Sequence, residues 1–266
     1  MRTEITGGFV RDHLPPVPAD ADKFTRGHLF MVCGSYGMAG AAVLAARSAL
    51  RTGVGYLTAA VPEQVWPVFT AAVPEAVCLV YDGQDPDSVR EAMKKGVRRA
   101  DAVLAGCGLG TLRDRVLPVL LPICGKPLLL DADGLNYLAR AGYGTPLENE
   151  PAPAGAAASW SASPDTVLTP HAGEMARLLS GTAEDVQADR VRALERALSL
   201  YGGTVLLKGP RTLVGHGGSR NGGTQPGGIF AEGSRPGESL PRETQPDGIF
   251  DGGSETGGTM PSGTGS

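Results

Sequence analysis

The chain has 266 residues, 41% of them hydrophobic, enough to bury the core of one large α/β domain. Its 24 Lys and Arg against 28 Asp and Glu give a net charge of −4, and no basic run exceeds Lys94-Lys95 or Arg98-Arg99, which argues against a nucleic-acid partner. No stretch nears the roughly 18 apolar residues of a membrane span. The opening MRTEITGGFVRDHLPP lacks the apolar region of a secretory signal. The four cysteines, Cys33, Cys78, Cys107 and Cys124, form no CxxC pair and lie in or beside apolar stretches. Reduced, buried thiols in a cytoplasmic protein are the expectation.

In chain order, HLFMVC (28–33) reads as a buried strand, and a small-residue turn leads to a helix from about Ala41 to Leu50. Tyr56–Val61 and Ala76–Tyr81 read as strands, and Asp87–Val97 as a helix with Val89, Met93 and Val97 on one side. Further strands are expected at Ala102–Ala105, Pro127–Asp131, Thr166–Thr169 and Thr204–Lys208. Helices are expected at Gly134–Ala141, Gly173–Leu179 and Ala183–Tyr201. Continuous apolar strands alternating with helices predict a mainly parallel sheet covered on both faces. In such sheets ligands gather at the carboxyl ends of the strands, so the residues just after each strand carry the interest.

Two segments break the pattern. Residues 143–165, rich in Ala, Pro and Ser, read as an exposed loop. Residues 216–266 hold 15 of the 39 glycines and 5 of the 21 prolines, with a near-repeat, TQPGGIF (224–230) and TQPDGIF (244–250). Their low apolar content predicts a disordered tail after a domain spanning 1–215.

Five strand ends carry chemistry. After the first strand, Gly34-Ser35-Tyr36-Gly37-Met38-Ala39-Gly40-Ala41 lets backbone N–H groups approach an anion at a helix start. Gly106-Cys107-Gly108-Leu109-Gly110-Thr111 repeats that logic without being a GxGxxG fingerprint. Asp131-Ala132-Asp133-Gly134-Leu135-Asn136 brings two carboxylates and an amide to a strand–helix junction, where they can orient Mg²⁺ or simply cap the helix. Thr169-Pro170-His171-Ala172-Gly173-Glu174 offers an imidazole to a polar ligand, and Glu174 suits the helix dipole. Lys208-Gly209-Pro210-Arg211-Thr212 places an ammonium at the end of an apolar strand, costly unless it is paired or faces an anion such as a nucleotide phosphate.

In this order the five motifs resemble the NAD(P)H-hydrate dehydratase family of the ribokinase-like superfamily. The matches run from Leu14-Pro15-Pro16 through GSYGMAGAAVLAARSALRTGVG (34–55) and ADAVLAGCGLG (100–110). They continue through PLLLDADGLNYLA (127–139), VLTPHAGEMARLL (167–179) and LLKGPRTLV (206–214). The resemblance implies repair of hydrated NADH or NADPH (NADHX, NADPHX) at the expense of ADP or ATP with Mg²⁺. The ring hydroxyl would be phosphorylated and phosphate eliminated, a task of positioning ligands and neutralising charge. By the same resemblance Ala41, Gly108, Gly110 and His171 contact the hydrated dinucleotide, and Lys208 to Thr212 line the nucleotide site. Asp131, Asp133 and Asn136 lie near phosphate and metal, with Gly34, Ser35 and Glu174 in support, and such proteins often form homo-oligomers. A small-molecule kinase of the superfamily and a nucleotide-binding pseudoenzyme are the alternatives.

One departure stands out. The family's Gly-Ser-Gly-Asp motif, whose Asp acts as base, has no match here, and the sequence closes on Thr256-Gly257-Gly258 to Ser266. The expectation is an incomplete domain and weak or no turnover by the polypeptide as written.

Overall fold

The computed structural model describes residues 4–143 and 162–217 and a two-residue strand at 229–230. Among the described residues, nine strands form one sheet: β1 (His28–Val32), β2 (Tyr56–Pro62), β3 (Val77–Tyr81), β4 (Ala102–Ala105), β5 (Leu128–Leu130), β6 (Thr166–Leu168), β7 (Gly203–Leu207), β8 (Leu213–Gly217) and β9 (Ile229–Phe230). Their order is β3-β2-β1-β4-β5-β6-β7-β8-β9, parallel through β7 and antiparallel at β8 and β9. The helices are α1 (Gly7–His13), α2 (Ala39–Arg51), α3 (Trp66–Ala72), α4 (Pro86–Arg99), α5 (Arg113–Ile123), α6 (Asp133–Arg140), α7 (Ala172–Leu178), α8 (Ala183–Ala188) and α9 (Arg190–Tyr201).

Alternation along the strands divides the core into two layers. From β1, Phe30 and Val32 join Met93 of α4, Leu117 and Leu120 of α5, Leu135 of α6 and Leu194 of α9. Met31 and Cys33 face the opposite layer, against Ala42 and Ala46 of α2 and Phe69 of α3. The expected α/β architecture, with helices on both faces of a mainly parallel sheet, is what the chain adopts.

Local chemistry sets the helix limits. Asp85 caps α4 by accepting from the Asp87 N–H, Pro86 fits the first turn, and Val89, Ala92, Met93, Gly96 and Val97 make the buried stripe. Gly96 leaves room for the Phe30 ring, which a Cβ would approach to 2.2 Å. The single helix expected over Ala183–Tyr201 is two: Asp189 leaves helical geometry and its side chain accepts from the Arg192 N–H, starting α9 afresh. Helix α5 carries Pro118 and Pro122 inside it, which hid it from a propensity reading, yet Val116, Leu117, Leu120 and Leu121 bury its apolar side.

Strand β8 extends to Gly217, and Ile229–Phe230 of the first TQPGGIF copy pair with it at Val214↔Phe230 and Gly215↔Ile229. The antiparallel strands β8 and β9 include residues beyond 215. The second repeat copy, the remaining tail and most of the loop expected at 143–165 lie outside the described residues. Among the described residues no helix is long and apolar enough to cross a membrane.

Candidate active site

Because β1, β4, β5, β6 and β7 are adjacent and parallel, the residues that follow them converge on one sheet edge. The first two turns are in direct contact. Gly34 N–H donates to the Cys107 carbonyl at 2.8 Å, and Ser35 Oγ donates to the Gly108 carbonyl at 2.9 Å. A Cβ on Gly108 would come 2.6 Å from the Ala41 Cβ, and one on Gly110 2.7 Å from Met38 Cε. Met38 gives α2 no side-chain cap, so the positive end of this 13-residue helix is turned to the same edge.

The β5–α6 junction is a tight turn. Ala132 has φ 51° and ψ −114°, a strained conformation for a residue with a Cβ, and Gly134 N–H closes the turn on the Asp131 carbonyl at 2.9 Å. That carbonyl is the reason Gly106 is glycine: at φ +120°, its Cβ would lie 2.0 Å from the Asp131 oxygen.

Asp133 then clamps the neighbouring turn. Its Oδ2 accepts from Gly110 N–H at 2.8 Å, and its Oδ1 accepts from Arg113 Nη1 and Asn136 Nδ2, each at 3.3 Å. Asn136 in turn accepts from Arg177 Nε at 2.7 Å, tying α6 to α7. Both Asp133 oxygens are therefore engaged by protein donors, a poor state for direct ligation of a cation. Asp131 differs: Lys208 Nζ lies 2.8 Å from its Oδ1, and Oδ2 has the Cys107 Sγ at 4.0 Å. No cluster of three or more His, Cys, Asp or Glu fit to hold a metal ion occurs among the described residues. The donor set does not fit a cation site built by the protein alone; it suits one carboxylate facing a phosphate-bound ion.

His171 is the N-cap of α7. Its Nδ1 accepts from the N–H groups of Gly173 (3.0 Å) and Glu174 (3.3 Å), while Glu174 Oε2 accepts from the His171 N–H at 2.8 Å. A backbone N–H can only donate, so Nδ1 is unprotonated and the ring proton resides on Nε2, 3.4 Å from Glu174 Oε1. The capping box explains why Glu174 is buried, and its Oε2 also lies 3.8 Å from Lys208 Nζ. Lys208 is thus held between Asp131 and Glu174, the pairing its position demanded.

Three positively charged residues at this edge escaped the sequence reading. Arg113 and Arg177 support Asp133 and Asn136 as described. Arg190, at the start of α9, donates through Nη2 to the carbonyls of Leu207 (3.0 Å), Lys208 (3.3 Å) and Arg211 (3.1 Å), and so shapes the Lys208–Thr212 turn. Thr212 Oγ1 closes that turn on the Gly209 carbonyl at 3.1 Å, and a Cβ on Gly209 would strike the Arg190 guanidinium. Asp189-Arg190 after a helical run was the available signal, but its partner carbonyls are fixed only by folding.

The two cysteines at this edge are polarised differently. Burial, then the hydrogen bond with Cys107, pushes the Cys33 thiol well above its ordinary value. The hydrogen bond with Cys33, helped by the Lys208 charge, lowers that of Cys107.

A family model described as NAD(P)H-hydrate dehydratase matches residues 29–220. The chain is 37% identical over 200 residues to an ADP-dependent (S)-NAD(P)H-hydrate dehydratase of Neisseria meningitidis, covering 73% of this chain and 60% of that protein. It is 36% identical over 218 residues to a bifunctional NAD(P)H-hydrate repair enzyme of Salinibacter ruber, covering 79% of this chain and 38% of that one. The chain therefore spans between about two-fifths and three-fifths of the length of these two relatives. Among solved structures it superposes on a ribokinase-like superfamily protein of Enterococcus faecalis with a TM-score of 0.67 at 19% identity, covering 88% of this chain and 72% of the other. It also superposes on an ADP/ATP-dependent NAD(P)H-hydrate dehydratase of Bacillus subtilis, co-crystallized with ATP/Mg²⁺, with a TM-score of 0.63 at 24% identity, covering 86% and 72%. These two likenesses establish the ribokinase-like fold.

Proposed function

Because this chain belongs to the NAD(P)H-hydrate dehydratase family, we propose that its site binds hydrated NADH or NADPH together with ADP or ATP. The reaction served is nucleotide-dependent dehydration back to the reduced dinucleotide. The observation that carries this reading is the Lys208 ammonium, held 2.8 Å from Asp131 at the edge where five strand ends meet.

The residues divide the work. The Lys208–Thr212 turn, shaped by Arg190, faces the nucleotide, and Lys208 neutralises phosphate charge there. The glycine turns at 34–35 and 106–110, with Ala41 and the open end of α2, leave room and backbone donors for the dinucleotide. His171, with its proton on Nε2, is a donor at the same edge. Phosphoryl transfer to the ring hydroxyl and loss of phosphate would restore the ring double bond, and positioning both ligands is most of that task. An Mg²⁺ ion would enter with the nucleotide phosphates, which with water supply most of its ligands, leaving Asp131 as the carboxylate that faces it.

The test is calorimetric titration of ADP and ATP, followed by incubation with NADHX or NADPHX while the near-ultraviolet absorbance of reduced nicotinamide is followed. Saturable nucleotide binding is expected of the site, with returning absorbance and phosphate release slow or absent because the family's Gly-Ser-Gly-Asp motif has no match here. Failure to bind either ligand would sink the proposal, and phosphate retained on a stable product would favour a small-molecule kinase instead.

A further inference from the structure

Two thiols sit together beside the proposed site, and the chemistry considered so far gives them no task. Cys33 directly follows β1 and Cys107 lies two residues beyond the end of β4, where Val32 pairs with Ala105. Both thiols lie on the α2 side of the sheet: Cys33 is fully buried in that layer and Cys107 packs against it, half-exposed. The backbones are joined there by the 2.8 Å bond from Gly34 N–H to the Cys107 carbonyl, and the Cys107 thiol lies 4.0 Å from Asp131 Oδ2. Neighbouring strands run about 4.8 Å apart, so residues just past their paired ends come within reach of a disulfide's span.

We propose that Cys33 and Cys107 form a modification site for hydroperoxides, with Cys107 the thiol attacked and Cys33 the thiol that resolves it into an intramolecular disulfide. Exposure assigns the roles, because an oxidant reaches Cys107 and not Cys33. In the first step the Cys107 sulfur takes one oxygen from the peroxide, giving a sulfenic acid and one molecule of alcohol or water. In the second the Cys33 sulfur displaces that oxygen as water, and the S–S bond forms. The peroxide is the oxidant, and the two thiols together lose two hydrogens. The remaining cysteines are built-in controls: Cys78 lies on β3, beyond β2, and the Cys124 thiol borders the opposite layer, its sulfur 3.9 Å from the Lys126 carbonyl. This inference holds whichever dinucleotide the site takes.

The experiment treats the reduced, full chain with a small excess of hydrogen peroxide, alkylates remaining thiols, and maps tryptic peptides by mass. The four cysteines fall in four separate peptides, Cys33 in 27–47 and Cys107 in 100–113. The expected result is a species about 2 Da lighter in which these two peptides are linked, with Cys78 and Cys124 still alkylated. Dithiothreitol should return it to the starting mass. In Cys33→Ala, Cys107 lacks its resolving partner and should proceed to sulfinic acid, about 32 Da heavier. The proposal is overturned if Cys107 of the unaltered protein reaches sulfinic acid without linking to Cys33. It is equally overturned if both thiols stay alkylatable at a dose that oxidises Cys78 or Cys124.

Discussion

Lys208 Nζ stands 2.8 Å from Asp131 Oδ1 across 77 residues of sequence, and Glu174 Oε2 is the next carboxylate oxygen at 3.8 Å. One cation thereby joins the ends of β5, β6 and β7. Lys208→Met is expected to weaken ADP or ATP binding about tenfold to hundredfold, the worth of a charge-assisted contact. The pair is partly exposed, so folding stability should change by no more than about 1 kcal/mol. Asp131→Asn frees the ammonium and should leave Mg²⁺-free affinity no lower, while shrinking any gain from Mg²⁺. Calorimetric titration with and without Mg²⁺ reads both, and unchanged affinity in Lys208→Met would remove Lys208 from the phosphate site.

Asp133 holds the Gly110 turn through its Oδ2. Asp133→Asn keeps one acceptor oxygen for donors from Gly110, Arg113 and Asn136, so at least one of them loses its partner. A loss of about 1–2 kcal/mol in denaturant unfolding is expected, with faster amide exchange at Gly110. Added Mg²⁺ should leave the melting point of the ligand-free protein unmoved. A substantial rise with Mg²⁺, abolished by the substitution, would instead make Asp133 a ligand.

Arg190 tests whether the turn at 208–212 needs outside support. Arg190→Lys keeps the charge but not the planar fork that reaches the carbonyls of Leu207, Lys208 and Arg211 together. Nucleotide affinity should fall about tenfold, at a cost of 1–2 kcal/mol in hydrogen bonding that is roughly the same size. Hydrogen exchange confined to residues 207–212 would report the loosened turn, and wild-type affinity with wild-type exchange would refute the assignment.

Alkaline pH should destabilise the fold through its tyrosines. Burial, then the neighbouring Tyr143, pushes Tyr137 up to about 12, and burial raises Tyr143 and, more strongly, Tyr81, whose hydroxyl has no hydrogen-bond partner among the described residues. The folded state holds these protons more tightly than the unfolded state, whose phenols titrate near 10. Their contribution is therefore fully present below about pH 10 and is lost as pH climbs through the folded values. Urea unfolding at about pH 9 and pH 11, with phenolate absorbance recorded alongside, should show a lower midpoint at the higher pH.

Gly96→Ala separates local preference from packing. In the middle of α4 an alanine is favoured over glycine by roughly 0.5–1 kcal/mol on helix propensity alone. The Phe30 ring, 2.2 Å from where the Cβ would sit, reverses the sign. Overpacking of about 1–3 kcal/mol is expected, seen as a lowered thermal midpoint, whereas a raised midpoint would mean that Phe30 yields without cost.

The elements were legible where one chain segment contains its own signal. Apolar runs such as HLFMV and VCLVY, and the stripe Val89, Met93 and Val97, announce strand and helix through period alone. Helix α5 was not legible, because Pro118 and Pro122 oppose it locally and the sheet it covers favours it. Asp189 divided one expected helix into two by a cap too short in range for periodicity to register.

The sequence by itself determined the α/β class, the family resemblance and the five strand-end motifs, because each is written in contiguous residues. Only the tertiary structure decided which charges meet there: Lys208 with Asp131, Asp133 with Gly110 and Arg113, Arg190 with three carbonyls of the 207–211 turn. It also turned His171 Nδ1 to the backbone of α7 and set Cys33 beside Cys107. The physical reason is range. Periodicity and capping act over a few residues, while ion pairs and hydrogen bonds act over a few ångströms, and only the parallel sheet brings distant strand ends that close.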